Sequence, residues 1–274
     1  RDCLLSRGLG DVYKRQMVDN RDLSLSSVLD EETIEALCDR RFGIGADGLI
    51  AVEPSQGKGG IVRMRYYNAD GGEAEMCGNG ARCFSNFAAA LLHHDKTTPL
   101  PFETMAGVVT ATFEKDGNVT VNLTNPHSMQ LFVLNADPTV GADVHFLNTG
   151  VPHAVAFLDK LEGLDISRLG AYLRYHEAFS PKGTNANFAR ILSPGHIAIR
   201  TYERGVEDET LACGTGMTAC ALLHAVLTDA PSPIQVDVAG GDTLKVGFQR
   251  TGDRFTDVTL TGPADLVFTG DIQI

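Results

Sequence analysis

A chain of 274 residues, 43 % of them hydrophobic, is long enough for one large domain or two of ordinary size. A formal net charge of −12 disfavours nucleic acid and anionic membrane as partners, since both need a basic surface. No apolar run approaches the ~18 residues of a membrane span. Six cysteines without a secretory apolar segment indicate free thiols in a reducing cytoplasm rather than a disulfide framework.

Arg1 to Gln16 fit neither the strand nor the helix period and lack signal-peptide organisation, so they read as a non-native leader foreign to the fold. Cys3 is discounted with them. Ser24 to Arg41 predicts a helix with Asp30 as N-cap, Ile34, Leu37 and Cys38 on one face, and Gly43 as its stop. Gly43-Ile44-Gly45-Ala46-Asp47-Gly48 has the form G-x-G-x-x-G, but a dinucleotide site needs strand, glycines, then helix. Here the helix comes first and the strand Leu49 to Val52 follows, so the segment reads as a turn. Ile61 to Tyr67 alternates as a strand and leads through Asn68 and Asp70, turn formers by default, to a helix.

Short strands follow at 102–104, 108–113 and 119–123, with Lys115 to Asn118 as a hairpin turn and Asn125-Pro126 as the crossing between halves. The second half repeats the grammar: strands near 131–134, 144–147 and 154–157, a helix over 166–175, and strands at 187–191 and 197–202. A second helix comes next, then strands near 234–238, 243–248, 255–260 and 266–269. Few helices and many short strands per half predict an α+β chain of two curled sheets, each wrapped around a helix.

Two stretches look like copies of one another: Met76-Cys77-Gly78-Asn79-Gly80-Ala81-Arg82-Cys83, and Ala212-Cys213-Gly214-Thr215-Gly216-Met217-Thr218-Ala219-Cys220. In each, a cysteine precedes Gly-x-Gly and an apolar segment of helical period, which sets the cysteine at a helix N-terminus. The unpaired N–H groups and positive dipole end there favour a thiolate and can hold a carboxylate, while the glycines admit a close approach. Inverting a stereocentre without a cofactor needs a base on one face and an acid on the other, and a thiolate opposite a thiol supplies both. The alternatives are two structural cysteines capping core helices, or a redox pair; a single copy favours these, a repeated one favours chemistry. Helix starts from both halves acting on one substrate put the site in the cleft between domains.

Other residues carry open alternatives. Asn185 either binds a polar ligand or serves its turn. Arg204 suits a carboxylate and Glu203 an ammonium, although each alone is more often a solvated charge. His153 either orients a cysteine or satisfies a backbone group. No spacing fits a zinc site and no Ser-His-Asp set stands out, so no metal or other cofactor is expected.

Several of these stretches together resemble the diaminopimelate epimerases, the pyridoxal-independent enzymes of lysine and peptidoglycan-precursor synthesis. The matching pieces are Phe42 to Gly48, Tyr67 to Gly71, Glu73 to Cys83, Thr149 to His153, Gly183 to Phe188, Tyr202 to Gly205 and Thr210 to Gly216, within a likeness covering about 17–274. The resemblance implies a pseudo-symmetric pair of β-barrel-like domains, each around a central helix: 17–126, with 263–274 returning to it, and 127–262. It implies Cys77 and Cys213 as the acid/base pair converting LL-2,6-diaminopimelate to the meso form. Asn68, Asn185, Glu203 and Arg204 then bind the substrate, as do Gly78-Asn79 and Gly214-Thr215 at the helix starts, with His153 in support. A homodimer is also implied.

One departure stands out. The family begins with a strand carrying His-Gly-x-Gly-Asn-Asp-Phe, whose asparagine touches substrate, whereas Gly8-Leu9-Gly10 is followed here by Asp11-Val12-Tyr13. A surviving fold with weakened or lost activity is the expectation. Rival readings are a proline or hydroxyproline racemase on the same fold, disfavoured by Asn79 and Tyr202-Glu203-Arg204, and an isomerase without the cysteine pair. A catalytically impaired amino-acid-binding homologue, suggested by the altered N-terminus, belongs to another class.

Overall fold

The computed structural model describes residues 2–7 and 14–272, so Gly8-Leu9-Gly10 and Asp11-Val12-Tyr13 lie outside the described residues. The chain forms two compact units, Arg1–Asn122 with Gly262–Ile274, and Leu123–Thr261. The first contains β1 (Asp2–Arg7), β2 (Lys14–Asp19), α1 (Glu31–Cys38), β3 (Gly48–Pro54), β4 (Val62–Asn68), β5 (Glu73–Ala74), α2 (Gly78–Leu92), β6 (Leu100–Thr104), β7 (Gly107–Phe113) and β8 (Val119–Asn122). The second contains β9 (His127–Asp137), β10 (Ala142–Asn148), β11 (Pro152–Phe157), α3 (Ile166–Arg174), β12 (Asn185–Ser193), β13 (His196–Glu203), β14 (Asp208–Thr210), α4 (Gly214–Thr228), β15 (Ile234–Asp237), β16 (Thr243–Thr251) and β17 (Arg254–Gly262). The last strand, β18 (Asp265–Asp271), pairs antiparallel with β1 in the first unit.

Both units have one topology. In the first, β2 and β3 are parallel across α1, β3–β4–β5 run antiparallel, and α2 leads to β6, which lies parallel to β4 and continues into β7 and β8. In the second, β11 and β12 are parallel across α3, β12–β13–β14 run antiparallel, and α4 leads to β15, parallel to β13 and followed by β16 and β17. The outer partner also recurs: β18 flanks β1 as β9 flanks β10. The α+β class expected from the order of periodic segments is the one observed.

Helix positions follow from which faces are apolar. Every residue of β3 from Gly48 to Glu53 is buried, so neither sheet face is left to solvent there. On one face Leu49 and Ala51 pack with Ile34, Leu37 and Cys38 of α1; on the other, Ile50 lies under α2. The α2 helix touches β2, β3, β4 and β8, and α4 touches β10 through β13, β15 and β16. A sheet meeting one helix with strands so far apart in order has to curl around it. Accordingly α4 is buried on all sides from Gly216 to Ala225, the pattern of a core helix. α3 covers the outer face through Ile166, Leu169 and Leu173 on Ala186, Phe188 and Tyr202. Gly170 lets it lie close, because a Cβ there would come within 2.2 Å of the Tyr202 side chain.

The structure differs from the sequence reading in three places. The helix expected over 24–41 is confined to Glu31–Cys38. Asp30 caps it as expected, but the Asp39 carboxylate accepts from the N–H groups of Arg41 and Phe42 and draws the chain into a turn. The short strands β5 and β14 offer no alternation to read. Of the segment set aside as a leader, residues 2–7 pair with β2 and β18, and Arg15 and Gln16 are buried in β2.

Glu103 on β6, 2 % exposed, carries a concentrated electrostatic load. Burial alone would raise its pKa, but hydrogen bonds from the N–H groups of Gln56, Lys58 and Gly60 and the Ser55 hydroxyl outweigh burial and lower it to about 2. A folded-state pKa below the unfolded 4.5 gives stability that is complete above 4.5 and lost as pH falls through about 2. Glu103→Gln should therefore lower the urea midpoint at pH 7, with the gap from wild type narrowing as pH drops from 4.5 towards 2. A gap that stays constant with pH would assign the loss to packing instead.

Candidate active site

Cys77 is the N-cap of α2, in extended backbone conformation, and its Sγ accepts the Gly80 N–H at 3.3 Å, taking the place of a serine or aspartate cap. The Arg15 guanidinium, 6 % exposed, lies with Nη2 at 3.7 Å from the sulfur and Nη1 at 3.5 Å from the Asp47 carboxylate. Arg15 falls in the segment the sequence reading discounted, so nothing pointed to that contact. Cys213 is the N-cap of α4 in the same extended conformation, yet its sulfur caps no backbone N–H and instead lies 3.5 Å from the Thr215 hydroxyl. Cys38, Cys77, Cys83, Cys213 and Cys220 are all free thiols. Burial pushes the Cys220 thiol far up, and the nearby Cys213 adds to this, so Cys220 is an inert core residue.

The second glycine of each repeat is there for room. A Cβ on Gly80 would meet Ile50 Cδ1 at 2.8 Å, and one on Gly216 would meet Asn187 Oδ1 at 2.4 Å. Ile50 and Asn187 occupy matching places on β3 and β12, two residues after Gly48 and Asn185. Gly48 pairs with Asn68 at the end of β4, and Asn185 stands opposite Glu203, since Ala186 pairs with Tyr202. Tyr67-Asn68 and Tyr202-Glu203 are thus equivalent strand ends, and two of the expected substrate ligands are one position in two copies.

In the first unit, Asn68 is exposed at its strand end, and Gly78 and Asn79 are buried in the first turn of α2. The fully buried Arg82 donates from Nη1 to Asn79 Oδ1 at 2.9 Å, fixing which way that amide faces, and from Nε to the Pro263 carbonyl at 3.4 Å. In the second unit, Asn185 is 3 % exposed: its Nδ2 donates to the Pro152 carbonyl and its Oδ1 accepts the Arg204 N–H at 2.8 Å. Both alternatives weighed for Asn185 therefore bear on one spot, since it anchors Pro152-His153 and Arg204 through the backbone. Arg204 also donates to the Lys182 carbonyl. Gly214 and Thr215 are half-buried, and the Thr149 hydroxyl donates to the Thr215 carbonyl at 2.9 Å.

His153 is fully buried, and its pKa is lowered to about 3, first by burial and then by the Arg204 charge. Asn187 lies against it and Thr201 against Asn187; the sequence reading gave neither a role at the site, although both are buried polar residues within apolar strands. That placement is the signal that could have exposed them, because a buried amide needs partners.

A chain duplicated at this level, with a cysteine heading the central helix of each half, belongs in fold to the class of the PhzF proteins and proline-racemase-like enzymes. It resembles a phenazine biosynthesis protein of the PhzF family from Bacillus anthracis, with a TM-score of 0.75 and 14 % identity over 100 % of this chain and 99 % of that one. It likewise resembles a hydroxyproline epimerase from Agrobacterium vitis, with a TM-score of 0.66 and 15 % identity over 98 % and 91 %. Sequence narrows the class. The diaminopimelate epimerase family model matches residues 5–129 and 145–267. The chain is 42 % identical over 254 residues to the diaminopimelate epimerase of Flavobacterium psychrophilum, covering 92 % of this chain and 93 % of that protein. It is 41 % identical over 260 residues to that of Chlorobaculum tepidum, covering 94 % and 96 %. The chain belongs to the diaminopimelate epimerase family and is an isomerase.

The two glycines differ in what they press on, and this is measurable. Alanine gains up to ~1 kcal/mol of helix propensity over glycine. In Gly216→Ala the new methyl meets a buried amide held by three hydrogen bonds, so a net loss of about 1–3 kcal/mol in chemical denaturation is expected. Gly80→Ala meets the end of an isoleucine and should lose less. Equal stabilities would refute the tight contact at Asn187.

Proposed function

We propose that this protein interconverts LL-2,6-diaminopimelate and its meso form, supplying lysine and peptidoglycan-precursor synthesis, with Cys77 and Cys213 as the two acid/base groups. The observation that carries the reading is the repeated cysteine-capped helix start in a chain of this family. One sulfur, as thiolate, takes the α-proton and becomes S–H, leaving the electron pair conjugated with the carboxylate. The other, as thiol, delivers its proton to the opposite face and becomes the thiolate, so the reverse reaction exchanges the roles.

The first-turn N–H groups of Gly78 and Asn79, and of Gly214 and Thr215, have no intrahelical acceptor by helix geometry. They are the donors for a carboxylate whose negative charge grows as the proton leaves. Asn68 and Glu203 at the equivalent strand ends, with Asn185 and Arg204, hold the amino and carboxylate groups of the substrate, and His153 supports them. The distal amino-acid end confers selectivity: a site built to hydrogen-bond it leaves polar groups unpaired with a simpler amino acid.

We also infer a cytoplasmic homodimer. The free thiols and the family likeness support this, and among the described residues no helix is long and apolar enough to cross a membrane.

Incubation with LL-diaminopimelate in deuterated water should place deuterium at the α-carbon and produce the meso isomer. Cys77→Ala and Cys213→Ala should each lose at least ~10³-fold in turnover while remaining folded, Cys77→Ala at a somewhat lower midpoint because it also loses the helix cap. A single variant that still epimerises at full rate ends the two-sulfur scheme, and binding without deuterium uptake would mark a silent amino-acid binder.

A further inference from the structure

We propose that Asn187 is a positioning residue for this reaction: it locks His153 as the Nε2–H tautomer and, pressed beneath Gly216, fixes the helix turn that carries Cys213. The proposal rests on the functional reading above for its catalytic consequence, but not for its geometry.

The orientation of the Asn187 amide follows from its neighbours. The Ala154 carbonyl, 3.0 Å away, can only accept, so the atom facing it is Nδ2. On the other side the Thr201 hydroxyl lies 3.0 Å from Oδ1 and donates to it. Turning the amide over would set two oxygens against each other at Ala154. With Nδ2 so fixed, its second hydrogen points to His153 Nδ1 at 3.1 Å, and that nitrogen must accept. The imidazole is then neutral with its proton on Nε2, since a proton on Nδ1 would face the amide hydrogens. Burial and the Arg204 charge, which already hold the ring neutral, act in the same direction. His153 Nε2 is buried without a hydrogen-bond partner among the described residues, which leaves it a donor held ready rather than a titrating base.

The same amide has a second contact. Its Oδ1 lies where a Cβ on Gly216 would have to go, at 2.4 Å, while Cys213 Cβ and Sγ are 3.3 and 3.4 Å from that point. Asn187 is fully buried and cannot retreat. One side chain thus links the ring of His153 to the turn below Cys213. The matching residue of the first unit, Ile50, supports Gly80 by packing alone. The device is particular to the second half.

Labelling the eight histidines with ¹⁵N, and identifying His153 by the signal lost in His153→Gln, reads the tautomer directly. The wild-type protein should show a protonated Nε2 and a bare Nδ1. Asn187→Asp replaces the donor by an acceptor, so His153 should gain a proton on Nδ1, and kcat should fall roughly tenfold or more with KM changed less than about twofold. Thr201→Val, which frees Oδ1 without touching the ring, should give a smaller loss of the same kind and serves if Asn187→Asp does not fold. A protonated Nδ1 in the wild type, or a reversed tautomer with undiminished kcat, overturns the proposal. The nitrogen spectra need no substrate, so absence of epimerisation in the wild type would sink the functional reading and leave the tautomer result standing.

Discussion

A helix start can offer its N–H groups to a ligand only if something keeps the first turn from shifting, and in both halves the strand beneath does so at a distance too short for a Cβ. Gly80 rests on Ile50 and Gly216 on Asn187. Because β3 and β12 are each paired on both sides, the floor under each turn is itself rigid. The cysteine one turn earlier inherits that rigidity. Its backbone is already extended as an N-cap, so its side chain leaves the helix where the dipole is strongest. The burial of α4 on all sides, the close seat of α3 on Tyr202 and the curling of each sheet serve to bring floor and helix start together.

Much of this was legible because the signals were local. The Cys-Gly-x-Gly repeat, the apolar period behind it and the Lys115–Asn118 hairpin turn require only neighbours in sequence, and the helices and most strands fall where alternation puts them. The site was legible to the extent that it was repeated: Cys77 and Cys213 stood out as a pair, while Asn68 and Glu203 looked unrelated until strand register showed them to be one position in two copies. What escaped depends on tertiary contact. Nothing local marks Arg82 as the partner of Asn79, or Thr149 as the partner of the Thr215 carbonyl. α1 was overdrawn because the period continues past Cys38, whereas the Asp39 side chain competes for the backbone. β5 and β14 are too short to have a period at all.

The two halves share a backbone but not a chemistry. At Cys77 the sulfur is tied by a backbone N–H and approached by the Arg15 guanidinium, over an apolar floor. At Cys213 the sulfur has the Thr215 hydroxyl beside it, and the floor is an amide. Duplication therefore preserved what sets the direction of the helix start, namely strand order, register and glycine spacing. It left free what sets the surroundings of each sulfur.

The polar floor of the second half also carries a cost that its apolar counterpart avoids. Asn187, Thr201, His153 and Asn185 are each at most 3 % exposed, and a buried polar group without a partner costs on the order of 1–3 kcal/mol. Each side-chain polar atom of these four residues but one has a partner: Asn187 makes three bonds, Asn185 two, Thr201 donates one, and His153 accepts at Nδ1. The atom left over is His153 Nε2. In a network otherwise closed, this open donor is a point at which the folded state is less satisfied than it could be. Stability alone would favour closing it, or replacing the set with apolar residues as at Ile50. An open donor in the half whose helix-start sulfur makes no backbone cap is a group that a bound ligand would complete.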